Sequence, residues 1–208
     1  VEKPPRGKAP SNLINAGIYV LDPEIFDYIP EGKPVSMEHQ VFPKLAREGK
    51  LYGHEFEGFW VDIGEPADYL VANKLLLDIQ KKNEIGKDVV LEAGAEIREP
   101  SVLGDRVSVG AKTKIGPHAS LGESVSVGKS ARVENSIVFP NAVISDLTAV
   151  KGAIIGEAVI IGRRVKIGEG CIIGDGAIVQ DGVTLARDVT VCPSREVSQS
   201  VLTPKCLM

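Results

Sequence analysis

Three short clusters in the first third of the chain place charged or amide side chains beside glycine or proline. They are residues 1–4, with Glu2 and Lys3; residues 15–19, with Asn15 and Gly17; and residues 59–66, with Asp62. A lysine can neutralise a phosphate, an amide can hydrogen-bond a hydroxyl group, and a carboxylate oxygen is a ligand that Mg²⁺ prefers. A plain structural interpretation stays open for each: a solvated loop at residues 1–4, a turn cap at Asn15 and a helix cap at Asp62.

The charge balance excludes one broad class of partner. Lysine and arginine number 24 against 28 aspartate and glutamate residues, for a net charge of -4. The broad positive field that drives binding to nucleic acids or anionic membranes is therefore missing, and we expect neither as a partner.

The three cysteines, Cys171, Cys192 and Cys206, form no CxxC pair and leave one over. This usage is typical of proteins in a reducing compartment, so we expect the protein to be cytoplasmic. No apolar run approaches the roughly 18 residues of a membrane span. The first residues are neither a signal peptide nor an initiator methionine, and we expect the sequence to be cut at its front.

The composition changes near residue 85, which indicates two regions that differ in kind. Nine of the ten aromatic residues precede residue 90, whereas 15 of the 22 glycines lie from Gly86 onward. Counting in steps of six through the second region meets a large apolar residue each time: Leu91, Ile97, Leu103, Val109, Ile115, Leu121, Val127, Val133 and Phe139. Small or branched residues stand four positions after each, from Ala95 to Ile137 and Val143.

A second run in a shifted phase continues the pattern through Ile155, Ile161, Ile167, Ile173, Val179, Leu185 and Val191. The step from Phe139 to Ile155 is 16 residues, and we interpret the excess over two hexads as a short loop at residues 145–148. One bulky and one small inward residue per hexad predict a left-handed parallel β-helix over residues 91–194, with three hexads to a coil. Cys171 then fills a small inward position. We expect glycine after the bulky residue because the corner of the coil requires either a positive φ or a position with no room for a Cβ atom.

The first region predicts a mixture of strands and helices. We expect extended segments at residues 13–21, 51–56 and 59–62, and a short helix at 23–29. A helix at 36–48 has Ser36 as N-cap and Met37, Val41 and Leu45 on one face, with a kink or break at Pro43. A last helix opens at Pro66 and turns its apolar residues toward a core: Leu70, Val71, Leu75 and Leu77.

The three clusters, in this order and ahead of hexapeptide coils, resemble the sugar-1-phosphate nucleotidylyltransferases. Their later motifs are an E-K-P, an N-x-G and a W-x-D-x-G, matched here by Glu2-Lys3-Pro4, Asn15-Ala16-Gly17 and Trp60-Val61-Asp62-Ile63-Gly64. The tail from Val191-Cys192-Pro193 to Met208 is similar to that of the mannose-1-phosphate guanylyltransferases. The resemblance implies that residues 1–82 are the later part of a Rossmann-like nucleotidyltransferase domain, followed by a linker at 83–90, the β-helix at 91–194 and a tail at 195–208.

The resemblance also implies a reaction and roles for the residues. A sugar-1-phosphate oxygen attacks the α-phosphorus of a nucleoside triphosphate, and pyrophosphate leaves. The tail favours mannose-1-phosphate and GTP, while thymidylyl, adenylyl and uridylyl transfer stay open, because those enzymes share the same pocket. Lys3 would neutralise the sugar phosphate as the catalytic cation, Glu2 and Asn15 would bind sugar hydroxyls, and Gly17 would let the backbone approach the sugar. Asp62 would be one of two Mg²⁺ carboxylates.

Other parts of the family pattern are absent from the sequence. The second Mg²⁺ carboxylate and the Gly-rich stretch with arginine and lysine that cradles the triphosphate do not occur, so we expect residues 1–208 to be inactive by themselves. Glu65 stands where the family often has a threonine helix cap.

Two alternatives stay open. His118 is a candidate general base of a hexapeptide-repeat acyltransferase, although no long loop interrupts the coils near it. A catalytically silent regulatory or assembly subunit would share the two-region layout. For each of these functions, the open ends and flat faces of a β-helix lead us to expect a homo-oligomer.

Overall fold

The computed structural model describes residues 11–208. Two compact units meet in sequence between Trp60 and Val61. The first unit is built from short helical segments and irregular backbone, and the second contains a long helix and a parallel β-helix.

The β-helix confirms the architecture that the hexads predict. Its 21 short strands stack in parallel to form three sheets, which are the three faces of the coil. The first face holds β1 (Glu84–Ile85), β4 (Ser101–Leu103), β7 (Ala119–Leu121), β10 (Ile137–Val138), β13 (Ile154–Ile155), β16 (Ile172–Ile173), β19 (Val189–Val191) and β21 (Lys205–Leu207). The second face holds β2 (Val90–Leu91), β5 (Ser108–Val109), β8 (Ser126–Val127), β11 (Val143–Ile144), β14 (Ile160–Ile161), β17 (Ile178–Val179) and β20 (Glu196–Val197). The third face holds β3 (Glu96–Ile97), β6 (Lys114–Ile115), β9 (Arg132–Glu134), β12 (Ala149–Lys151), β15 (Lys166–Ile167) and β18 (Thr184–Leu185).

The coil extends past both of the bounds expected for it. Strand β1 pairs with β4 and begins before the predicted start at residue 91. At the other end, β20 pairs with β17, and β21 pairs with β19, inside the predicted tail. Segments 83–90 and 195–208 therefore contribute strands to the faces of the coil.

Bulky and small residues alternate inside the coil as the hexads require. Ile155, Ile161 and Ile173 are fully buried, and the small position between strands is filled by residues such as Val159 and Cys171. Burial of each such isoleucine is worth about 1.5–3 kcal/mol. The Cys171 side chain donates a hydrogen bond to the Ala186 carbonyl, and burial raises the pKa of its thiol, which confirms a packing role.

The shift of phase has a different origin from the loop expected at residues 145–148, and that expectation is wrong. Two hexads are each one residue short, from Val133 to Val138 and from Val150 to Ile155. Val138 takes the inward bulky position and is 1% exposed, whereas Phe139 is 36% exposed.

The same shift moves the small inward positions. Ser136 and Ala142 occupy them, in place of the expected Ile137 and Val143. The hydroxyl of Ser136 accepts a hydrogen bond from the Ala153 amide, which compensates for the shortened corner. Thr148, inside the expected loop, is itself a buried core residue.

The glycine after each bulky residue is required by crowding rather than, in general, by a positive φ. A Cβ built on Gly162 would lie 2.6 Å from the amide nitrogen of Asp181 in the next coil. The left-handed backbone instead falls two residues later in the hexad, where non-glycine residues such as Ala158 (φ 53°) and Arg164 (φ 58°) also occur. Gly116, with φ 88°, is an exception.

The long helix α2 (Pro66–Gln80) lies in the same unit as the coil and contacts its first face. Asn73 Oδ1 accepts a hydrogen bond from the Ser120 hydroxyl at 2.7 Å, and the rings of Tyr69 and Phe139 stack at 6.3 Å. Leu77 is buried as expected. Val71 is 60% exposed, so its assignment to the core-facing side is wrong.

The first unit forms its helices as the sequence indicates but not its strands. A 3-10 helix spans Pro23–Tyr28, a π-helical turn spans Met37–Val41, and α1 spans Phe42–Arg47. Ser36 caps the π-helical turn by accepting from the His39 amide. Because Pro43 has no amide hydrogen, the helix changes type there, as expected.

Ile25, Val41, Phe42 and Leu45 form a small core for these helices. The segments 13–21, 51–56 and 59–62, expected to be extended, have no strand partner among residues 11–208. Sheet pairing at these positions is therefore not present, although the sequence favours it.

Candidate functional site

Asn15 and Gly17 form a tight turn at the motif that the sequence singles out. The Asn15 Oδ1 atom accepts a hydrogen bond from the Gly17 amide at 2.9 Å, and its Nδ2 donates to the Tyr19 hydroxyl at 2.7 Å. Gly17 has φ 73°, a conformation that glycine adopts without strain. Asn15 is thus a turn cap, the structural alternative considered for it. Its amide still has one hydrogen and one lone pair free for a ligand.

The environment of Gly17 is open. A Cβ placed on this residue would have no neighbouring atom within 4 Å among the described residues. Within the described part of the chain, nothing therefore blocks a close approach to the backbone on this side of the turn.

Trp60 brings a second motif to the same turn. Its indole nitrogen donates to the Ala16 carbonyl oxygen at 3.0 Å. The side chain is 42% exposed, so Trp60 braces the turn at the surface and does not pack in a core. Trp60, the first residue of the W-x-D-x-G motif, therefore contacts the N-x-G turn 44 residues before it in the sequence.

Tyr19 links this turn to the helical core of the first unit, a role that the sequence analysis missed. Its ring lies 4.8 Å from that of Phe42 at the start of α1, while its hydroxyl accepts from Asn15. An aromatic residue four positions after the asparagine was the available signal. The Asn15 turn is thus held by Trp60 on one side and Tyr19 on the other.

Asp62 is exposed and does not cap the helix that follows it. Helix α2 has Glu65 as its N-cap residue, and the Asp68 carboxylate accepts from the Glu65 amide at 3.0 Å. Asp68 therefore hydrogen-bonds the backbone at the start of the helix. Glu65 occupies the N-cap position where the family often has a threonine. Within residues 11–208 the Asp62 carboxylate has no hydrogen bond or ion pair.

Glu2 and Lys3 lie outside the described residues, so the expected positions of the sugar-phosphate cation and one sugar ligand stay predictions. No group of three or more His, Cys, Asp or Glu side chains that could hold a metal occurs in residues 11–208. An exposed single carboxylate at Asp62 fits Mg²⁺ as one ligand, because Mg²⁺ keeps several waters and uses only one or two carboxylates beside substrate phosphates.

His118, the candidate base of an acyltransferase, is engaged with helix α2 instead. Its Nε2 lies 2.6 Å from Asp78 Oδ1 and 3.4 Å from Lys74 Nζ, and its side chain is 15% exposed. Lys74 Nζ also contacts Asp78 at 2.5 Å. These hydrogen bonds lower the pKa of Asp78 below its usual value. The imidazole therefore fastens the helix to the coil and does not face a free groove.

Two family models match the chain. One, a nucleotidyl transferase model, covers residues 1–79, and the other, the GMPPB C-terminal domain, covers residues 97–207. The first match contains the three clusters and the second contains most of the coil. The resemblance to sugar-1-phosphate nucleotidylyltransferases is confirmed.

Two relatives by sequence are named as mannose-1-phosphate guanylyltransferases. A probable mannose-1-phosphate guanylyltransferase 2 of Arabidopsis thaliana is 40% identical over 106 residues, covering 47% of this chain and 29% of that protein. A mannose-1-phosphate guanyltransferase of Saccharomyces cerevisiae is 44% identical over 97 residues, covering 47% of this chain and 25% of that protein. The chain thus matches less than a third of the length of these relatives.

A solved structure supports the fold of the coil. It is a putative acetyltransferase of Bacillus cereus, with a TM-score of 0.53 and 17% identity over 60% of this chain and 78% of that one. At this identity the likeness concerns the fold alone. None of the helices among residues 11–208 is long and apolar enough to cross a membrane. Since the match at residues 97–207 covers more than half of the sequence, the chain belongs to the GMPPB C-terminal domain family.

Proposed function

We propose that the protein containing this chain transfers a guanylyl group from GTP to mannose-1-phosphate and releases pyrophosphate. The observation that carries the proposal is the identity of 40% and 44% to mannose-1-phosphate guanylyltransferases from a plant and a yeast. The nucleotidyl transferase match at residues 1–79 adds support, because the Asn15 turn lies inside it.

The residues of this chain supply the sugar side of that reaction. Asn15 is held by Gly17 and Tyr19, so its remaining amide hydrogen and lone pair are preorganised for sugar hydroxyls. Gly17 leaves open space for the sugar ring. Lys3 neutralises the sugar phosphate, and Glu2 binds a further hydroxyl. In-line transfer between phosphates needs no protein nucleophile, so positioning and charge neutralisation are sufficient.

Asp62 is the residue that would hold Mg²⁺. The bound ion would neutralise charge on the phosphates. The proposal rests on the exposed carboxylate, which has no partner within the described part of the chain, and on the position of Asp62 in the motif beside Trp60.

The coil supports a second proposal, that the protein assembles into a homo-oligomer. The usage of its three cysteines supports placing that oligomer in the cytoplasm. Val143, Ile160 and Ile178 are register neighbours on the second face, and all three side chains are exposed. A contiguous apolar stripe on a flat sheet favours burial against a second copy. In light scattering we expect association that weakens in Ile160→Lys. A wild-type monomer at every concentration would contradict it.

The enzymatic proposal is tested by pyrophosphate release from the intact gene product. Four nucleoside triphosphates are combined with three hexose-1-phosphates, and the fastest release is expected for GTP with mannose-1-phosphate. Lys3→Ala and Asp62→Ala are each compared with an exposed control of the same type, Lys33→Ala and Asp27→Ala.

Loss of turnover in Lys3→Ala and Asp62→Ala, with the controls at the wild-type rate, supports the site. Wild-type rates in both site variants would exclude the assigned residues. Absence of release for every pair of substrates would exclude the enzyme and favour the silent-subunit alternative.

A further inference from the structure

Two cysteines meet at the last coil of the β-helix. Cys192 directly follows β19, and Cys206 lies in β21, the strand paired with it. Their sulfur atoms are 4.0 Å apart. Cys206 is exposed and Cys192 is partly exposed, so an oxidant in solution can reach the pair.

The backbone fixes these two residues in register. Thr190 is paired with Cys206, Val191 is paired with Leu207, and the Cys192 amide donates to the Leu207 carbonyl at 2.9 Å. A disulfide has a sulfur separation of about 2.05 Å, so the two atoms must approach by about 2 Å. We expect rotation of the two side chains about χ1 to supply this movement.

The third cysteine does not compete for either partner. Cys171 is fully buried inside the coil, and its sulfur donates to the Ala186 carbonyl. Among the cysteines of the chain, only Cys192 and Cys206 therefore combine proximity with access to solvent.

We propose that Cys192 and Cys206 are a reversible thiol–disulfide pair that fastens the final strand of the coil. The oxidant is a small-molecule disulfide such as oxidised glutathione. One thiol loses its proton and attacks the small disulfide, releasing one small thiol and leaving a mixed disulfide. The other thiol then attacks the mixed disulfide, so that the Cys192–Cys206 bond forms and a second small thiol leaves. Two protein thiols are oxidised and one small disulfide is reduced.

The position gives the bond a structural consequence. Strand β21 is the edge of the first face, hydrogen-bonded on one side to β19. Edge strands open more readily than the strands within a stack, because they are hydrogen-bonded on one side alone. A covalent bond to the residue after β19 would suppress that opening and keep the last coil closed.

The chemistry of Cys206 sets how fast the pair responds. The hydrogen bond with Cys192 raises the pKa of the Cys206 thiol. The thiolate is the attacking form, so oxidation should be slow at neutral pH and accelerate as the pH rises.

The test uses the whole chain in buffers of defined reduced-to-oxidised glutathione ratio. Free thiols are trapped with iodoacetamide, and the protein is analysed by intact mass and peptide mapping. We expect loss of two hydrogens and a peptide linking Cys192 to Cys206, in the wild type and in Cys171→Ser. Neither Cys192→Ser nor Cys206→Ser should give this product. Hydrogen exchange of the amides of 205–207 should slow in the oxidised wild type and remain unchanged in Cys206→Ser.

Three results would overturn the proposal. Glutathione attached separately to both cysteines would show that the side chains cannot meet. Disulfide-linked dimers without an internal bond would show that the thiols react only between molecules. An internal bond that leaves exchange at 205–207 unchanged would show that it does not fasten the strand.

Discussion

The coil and the segment 11–60 differ in how far they bury their large apolar side chains. In the coil, an inward residue such as Ile161 is covered by equivalent residues one coil above and below. In segment 11–60, large apolar side chains such as Val20, Tyr52 and Phe59 are exposed, and the strand pairing that would cover them is missing among the described residues. A repeat therefore completes its own core, whereas this α/β segment forms its turns and helices without forming a sheet.

The largest expected effect tests the inward positions of the coil. Ile161→Ala removes a side chain that is 0% exposed, whereas its neighbour Ile160 is 46% exposed. We expect the free energy of unfolding to fall by about 2–5 kcal/mol in Ile161→Ala, because a cavity remains. Ile160→Ala should cost less than about 1 kcal/mol.

Urea unfolding at two protein concentrations measures both variants and separates any contribution from association. Equal losses in the two variants would show that the inward and outward positions of this strand are wrongly assigned.

The next effect compares crowding in the two regions. Gly162→Ala would place a methyl group 2.5 Å from a carboxylate oxygen and 2.6 Å from the amide nitrogen of Asp181. We expect a loss of about 1–3 kcal/mol, since the coil above must shift. Gly53→Ala in the first unit has no atom within 4 Å and no positive φ, and should change stability by about 0.5 kcal/mol or less. Thermal unfolding in which both variants match the wild type would contradict the role of crowding.

A smaller effect, in this case an increase in stability, is expected where a residue other than glycine has a left-handed backbone conformation in the coil. Ala158 has φ 53°, which is costly for a residue with a Cβ. Ala158→Gly should therefore raise the free energy of unfolding by up to about 1 kcal/mol, offset in part by the greater freedom of glycine in the unfolded chain. A decrease in the urea midpoint would show that the coil has relaxed the strain at this corner.

The smallest effect concerns the contact between helix α2 and the coil. Lys74 and His118 lower the pKa of Asp78 from its ordinary value of 3.8, so the carboxylate stabilises the folded state above that value. This stability is lost as the pH falls through the lowered pKa. Asp78→Asn should flatten the acid limb of a stability-against-pH curve, and the exposed control Asp27→Asn should leave it unchanged. The same slope in wild type and Asp78→Asn would contradict the contact.

The sequence predicts the coil well because each hexad repeats the same physical demand. A bulky inward residue, a small one and a crowded glycine recur often enough to define the fold without knowledge of distant contacts. The two short hexads escaped prediction because Ile137, Val138 and Phe139 are all large and apolar, so the sequence leaves their inward member ambiguous. Burial of Val138 and Ser136 resolves it.

The candidate site was predictable in part, and for a different reason. The turn at Asn15 follows from local hydrogen bonding, and the family pattern indicated Trp60 and Asp62. The bond from Trp60 to Ala16 and the contact of His118 with Asp78 join residues about 40 or more positions apart. Neither periodicity nor turn chemistry gives such distant pairs.

The KM for mannose-1-phosphate of the intact gene product tests most directly whether the Asn15 turn is the sugar side of a guanylyltransferase. Asn15→Ala should raise this KM about tenfold, the equivalent of one lost hydrogen bond, while urea unfolding of the coil is unchanged. Tyr19→Phe, which keeps the amide and removes only its hydroxyl partner, should raise KM less. An unchanged KM in Asn15→Ala, with GTP turnover at the wild-type rate, would contradict the account.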